Sequence, residues 1–101
     1  MTERDFSAIL EHAGEAAQLM KALSNENRLM ILCSLSGGEM TVGQLNEKIP
    51  MSQSGLSQQL GILRREGLVA TRRDAQSIYY TLVPGPATEM IRLLHGIYCG
   101  T

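Results

Sequence analysis

The chain has 101 residues, of which 44% are hydrophobic and 19% charged, with a formal net charge of −1. This balance fits one globular domain that buries its own core, and it excludes a disordered or fibrous chain. No apolar run reaches the length of a membrane span, and the opening MTERDFS has no basic segment leading into an apolar one. A cytoplasmic protein with no signal peptide and no membrane partner is therefore expected.

The charge is unevenly spread. Residues 1–47 carry three bases and seven acids, whereas residues 48–80 carry five bases against two acids. A basic middle third can face phosphate even on a mildly acidic molecule.

Residues 6–23, FSAILEHAGEAAQLMKAL, place Ile9, Ala13, Ala16, Ala17, Met20 and Leu23 at helical spacing, which predicts a first helix with a small-residue face. Asn25 suits the N-cap of a second, ENRLMILCSL, stopped by Gly37-Gly38. Thr41 caps a short third helix, VGQLNEKI, whose Val42, Leu45 and Ile49 point inward before Pro50 ends it.

Ser52 then caps a fourth helix running to Gly67. Leu56, Leu60 and Leu63 form its apolar stripe. The opposite face carries Ser54, Ser57, Gln58, Gly61 and Arg65, without an acid or an aromatic. Taken alone this is as readily an ordinary solvated face as a DNA reader. The short helix and turn ahead of it match a helix-turn-helix.

After Gly67 the run LVATRRDAQSIYYTLV reads as two strands around a polar RRDAQ break, a hairpin tipped with Arg72, Arg73, Asp74 and Gln76. Such a hairpin directly after a helix-turn-helix is a wing. Pro84-Gly85-Pro86 breaks the strand, and residues 87–99 form a last helix. Its Met90, Ile91, Leu93, Leu94, Ile97 and Tyr98 are apolar on more than one face, so a second copy is the expected cover. The predicted fold is mainly α with a small β-hairpin: one winged helix-turn-helix domain over residues 1–101, a homodimer through its first and last helices. Its two recognition helices would enter successive major grooves about 34 Å apart.

Gln53, Ser54, Ser57 and Gln58 are the candidate contacts to base edges and nearby phosphate, with Ser52 at the helix N-terminus. Arg64, Arg65, Arg72 and Arg73 are the candidate phosphate or minor-groove contacts, with Gln76 at the wing tip. No nucleophile–base set or phosphate loop is present, which argues against an enzyme. Cys33 and Cys99 are too far apart for a CxxC motif or a local zinc knuckle. Cys33, inside an apolar helix, reads on its own as a small buried hydrophobe.

Several runs together resemble the ArsR/SmtB family of winged-helix repressors: ALSNENRL at 22–29, TVGQL at 41–45, SQSGLSQQL at 52–60, LRREGLV at 63–69 and YYTL at 79–82. The resemblance covers residues 16–99 and implies a homodimer that binds a palindromic operator and leaves it when an inducer binds. The family's usual metal ligands are missing. Residues 43–47, GQLNE, hold no thiol, and the last helix offers only Glu89 and His95, with His12 isolated on the first. No metal site and no cofactor are expected.

Leu32-Cys33 with a Tyr98-Cys99 terminus, and the wing Arg73-Asp74-Ala75-Gln76, resemble the sulfide- and persulfide-responsive branch of that family. The resemblance implies that Cys33 and Cys99 form a redox sensor pair, with a persulfide or oxidant as inducer. A disulfide or polysulfide bridge between them would lower operator affinity. The alternatives are a metal or metalloid sensor with a non-standard thiol site, an inducer-independent regulator that competes with other DNA-binding proteins, and a protein-interaction module. The chain departs from the family's pattern at Gln59, where many members have His, and at Ala75, where many have Gly. Gly55 and Gly61 also weaken the fourth helix, for close approach or for flexibility.

Overall fold

The computed structural model describes residues 1–100, and Thr101 lies outside the description. Five helices and three strands follow in the order α1 Glu3–Leu23, α2 Glu26–Leu35, β1 Met40–Thr41, α3 Val42–Lys48, α4 Gln53–Arg65, β2 Val69–Asp74, β3 Ser77–Leu82 and α5 Pro86–Cys99.

The first helix starts earlier than its apolar spacing suggests, because Thr2 closes a capping box with Asp5. The bonds from Thr2 hold the Asp5 carboxyl below its usual range. Asn25 caps α2 by accepting the Arg28 N–H at 3.0 Å. Thr41 and Gln44 form a second capping box at α3.

The expected two-stranded hairpin is one part of a three-stranded antiparallel sheet ordered β1-β3-β2. Met40 and Thr41 pair with Tyr80 and Tyr79. Two residues are too few to announce a strand, and β1 exists because β3 offers it an edge. The wing is also longer than the RRDAQ break implies. Arg72 and Arg73 lie within β2, opposite Tyr79 and Ile78, and only Ala75 and Gln76 form the turn. Ala75 adopts φ 57° there, a left-handed geometry usually given to Gly or Asn.

The core lies among α2, α3 and α4. Ile31, Leu32, Leu45, Leu56, Leu60 and Leu63 are fully buried, with Val69 of β2 and Ile91 of α5 closing it. Each such side chain contributes about 2 kcal/mol of burial. By contrast, α1 covers itself only near its end. Residues 1–18 are all exposed, and Leu19, Ala22 and Leu23 alone reach the core. The molecule is accordingly elongated, 52 × 31 × 22 Å.

Candidate DNA-reading face and thiol pair

The turn into α4 is fixed by polar bonds. Asn46 of α3 donates through Nδ2 to the Met51 carbonyl at 2.7 Å, and the Met51 N–H donates to the Ile49 carbonyl at 2.9 Å. Ser52 caps α4 by accepting the Gly55 N–H at 3.0 Å. A Cβ on Gly55 would lie 3.0 Å from Ser52 Oγ and 3.3 Å from Met51 Cε. Close approach is therefore the reason for that glycine. At Gly61 a Cβ would meet nothing nearer than Arg65 Nη1 at 3.9 Å.

The helix ends in a Schellman motif. The Gly67 N–H donates to the Arg64 carbonyl at 3.0 Å, and the Leu68 N–H donates to the Leu63 carbonyl at 2.9 Å. Gly67 takes the left-handed φ of 74° that this closure requires.

With Leu56, Leu60 and Leu63 fully buried, α4 turns Gln53, Ser54, Ser57, Gln58, Arg64 and Arg65 to solvent. Ser52 is exposed as well, but its hydroxyl oxygen is engaged in the cap. The outer face is thus a row of hydrogen-bonding side chains between a helix N-terminus and two guanidinium groups. Gln59 is half-buried at its edge and accepts a bond from Arg28 Nη1 at 3.1 Å.

The wing arginines differ from one another. Arg72 donates through Nε to Glu39 Oε2 at 2.7 Å and through Nη2 to Glu39 Oε1, and its guanidinium lies 4.5 Å from the Tyr79 ring centroid. These bonds hold the Glu39 carboxyl below its ordinary range and push the Arg72 guanidinium up. Arg73 and Gln76 are exposed, and among the described residues Arg73 forms no ion pair. Glu39, Asn46 and Tyr79 are not among the candidate site residues read from the sequence. Glu39 lies 33 residues before Arg72, so no local spacing links them.

Both cysteines are free thiols. Cys33 is half-buried against the core, and Cys99 is exposed at the end of α5. Burial pushes the Cys33 thiol up, and the charge of Cys99 pushes it further. On α5, Leu93, Ile97 and Tyr98 are exposed, as are Phe6, Ile9 and Leu10 on α1. Among the described residues no cluster of His, Cys, Asp and Glu could hold a metal ion, and no helix is long and apolar enough to cross a membrane.

Residues 25–71 match the family described as bacterial regulatory protein, arsR family. The chain is 48% identical over 89 residues to the transcriptional activator HlyU of Vibrio cholerae, spanning 88% of this chain and 82% of that protein. It is 42% identical over 99 residues to the biofilm growth-associated repressor of Xylella fastidiosa, spanning 98% and 84%. The crystal structure of the Xylella fastidiosa repressor BigR is alike in fold, with TM-score 0.85 and 42% identity over the whole of both chains. The solved structure of reduced HlyU from Vibrio cholerae gives 0.86 and 47%, covering 91% of this chain and 97% of the other. A buried three-leucine stripe under a polar recognition face, a wing behind it and these relatives lead to one assignment: the chain belongs to the ArsR family and is a winged helix-turn-helix transcriptional regulator that binds DNA.

Proposed function

We propose that this chain is a thiol-switched repressor, a single winged helix-turn-helix domain that acts as a homodimer through α1 and α5. The exposed apolar residues of those two helices support the dimer. In it, the N-terminus of α4 faces phosphate, and Gln53, Ser54, Ser57 and Gln58 take base edges and nearby phosphates. Arg64, Arg65, Arg73 and, once released from Glu39, Arg72 supply salt-dependent phosphate contacts, with Gln76 at the wing tip.

The observation that carries the switch is the placement of the two free thiols, Cys33 half-buried on α2 against the core and Cys99 exposed at the end of α5. A thiolate is the attacking species. Cys33, pushed up by burial, stays protonated longer and is the resolving thiol. The Cys99 thiolate attacks the outer sulfur of a low-molecular-weight persulfide, RSSH, forming Cys99–SSH and releasing RSH. The Cys33 thiolate then attacks the inner sulfur and displaces hydrogen sulfide. Two thiols are oxidised to one disulfide, and the persulfide sulfur is reduced to sulfide. A second persulfide molecule adds one sulfur atom to the bridge where the Cα atoms lie beyond the 4.4–6.8 Å of a direct disulfide. Tying α5 to α2 changes how two copies of α4 are held and so lowers operator affinity.

The test treats purified protein with glutathione persulfide, weighs it, and titrates duplex DNA in parallel. A two-proton mass loss, or that loss plus whole sulfur atoms, mapped to Cys33 and Cys99 with weaker binding is expected. Cys99→Ser should abolish the response. A Cys33→Ser, Cys99→Ser double variant that still responds would refute the thiol reading.

A further inference from the structure

Arg28 of α2 reaches both α1 and α4. Its own N–H is held by the Asn25 cap, which fixes where the side chain leaves the helix. The guanidinium fork then divides. Nε donates to the Ala22 carbonyl at 2.8 Å and Nη2 to the Lys21 carbonyl at 3.3 Å, the last turn of α1. Nη1 crosses to Gln59 Oε1 on α4 at 3.1 Å. A planar group with donors in fixed directions fixes both partners relative to itself, which a lysine ammonium on a flexible stem cannot do.

A second tie runs in parallel. Gln18 of α1 donates through Nε2 to Glu66, the C-cap of α4, at 3.0 Å. The recognition helix is therefore fastened to the end of α1 at its middle and at its C-terminus. The other end of α1 is wholly exposed. Leu56, Leu60 and Leu63 fix how deeply α4 sits in the core. A directed hydrogen bond at the edge of that stripe adds a further restraint on rotation about the helix axis, because it weakens steeply as its angle opens.

We propose that Arg28 is a positioning residue for DNA recognition: through Gln59 it sets the rotation of α4 against the last turn of α1. The proposal rests on the reading that the outer face of α4 enters the groove. Gln59 needs no contact with DNA in this role. It serves as the acceptor that Arg28 holds, and Gln58 and Ser57 beside it are aimed as a result.

The experiment uses the full chain and two duplexes: one selected from a random-sequence library by the wild-type protein, and a scrambled duplex of the same length. Arg28→Lys, Gln59→Leu, their double variant, Gln59→Glu and Gln58→Ala are titrated against both, alongside urea unfolding. Arg28→Lys and Gln59→Leu should each weaken selected-duplex binding about tenfold while scrambled-duplex binding changes less than about threefold. The double variant should be no weaker than the worse single one. Gln59→Glu, which keeps an acceptor for Arg28, should bind the selected duplex within about threefold of wild type. Additive losses, equal losses on both duplexes, or a Gln59→Glu loss as large as that of Gln59→Leu would each overturn the proposal. If Gln58→Ala weakens selected binding but Arg28→Lys and Gln59→Leu do not, the positioning role alone falls. If Gln58→Ala changes nothing, the groove reading falls and this role with it.

Discussion

Arg72 on the wing is clamped by Glu39 from the segment before β1, and the same guanidinium sits over the Tyr79 ring. The neighbouring Arg73 carries no such restraint among the described residues. Two adjacent arginines of one strand thus differ in what they can offer a phosphate. Contact with DNA must compete for Arg72, whereas Arg73 is available from the start.

Replacing Glu39 by Gln should release Arg72 and tighten binding to any duplex, sequence aside. The salt dependence should steepen by up to about one unit of log–log slope, the value of one added phosphate contact. Arg73→Ala should do the reverse, flattening the slope by about one unit. Fluorescence titrations over a range of salt concentrations measure both. Unchanged slopes would mean that the wing does not touch phosphate. The Glu39 carboxyl is held low by Arg72, so the clamp is complete above the ordinary glutamate range. It is lost only as pH falls through the lowered value.

The two glycines of α4 should respond differently to alanine. Gly61→Ala adds a methyl in ordinary contact with Arg65 Nη1 at 3.9 Å and should stabilise the fold by about 0.5–1 kcal/mol through helix propensity. Gly55→Ala places its methyl 3.0 Å from Ser52 Oγ, the atom that caps the helix. Displacing that cap costs about 1 kcal/mol and cancels the same gain. Urea unfolding of both variants decides the matter, and equal stabilisation would show that the cap tolerates the methyl.

The thiols should separate kinetically. Cys99 is exposed, while burial and the Cys99 charge push Cys33 up. Iodoacetamide at pH 8 should therefore alkylate Cys99 at least about tenfold faster, followed peptide by peptide. Cys99→Ser removes the smaller of the two causes, so the Cys33 titration should move down but stay above the ordinary thiol range. A raised thiol favours the fold while protonated. Its contribution is complete below the unfolded value of about 8.5 and is lost as pH rises through the folded value. Equal labelling rates would contradict the assigned order of attack and resolution.

Apart from the start of α1, where the Thr2–Asp5 capping box went unread, the helices and their ends were legible in the residues because their signals are local. Thr41, Ser52 and Asn25 are caps, Gly67 is the left-handed closure, and Leu56, Leu60 and Leu63 form one stripe, each within a few residues of what it bonds or packs with. The polar outer face of α4 follows from that stripe, since burying one side of a helix turns the other to water. The order of helices with a hairpin behind the fourth was equally readable, and with it the family.

What the tertiary structure decided joins residues far apart in the chain. Met40 and Thr41 become a strand only against Tyr80 and Tyr79. Arg72 turns from a free cation into a clamped one only beside Glu39. Gln59 acquires its partner only where Arg28 reaches across from α2. Cys33 becomes half-buried only where α2 packs into the core. The physical reason is the same in each case. Capping and amphipathic spacing act within a turn or two of helix, so one segment carries them whole. An ion pair, a sheet edge or a hydrogen bond between helices needs two segments at once, and its partners are brought within reach by the burial of side chains that belong to neither.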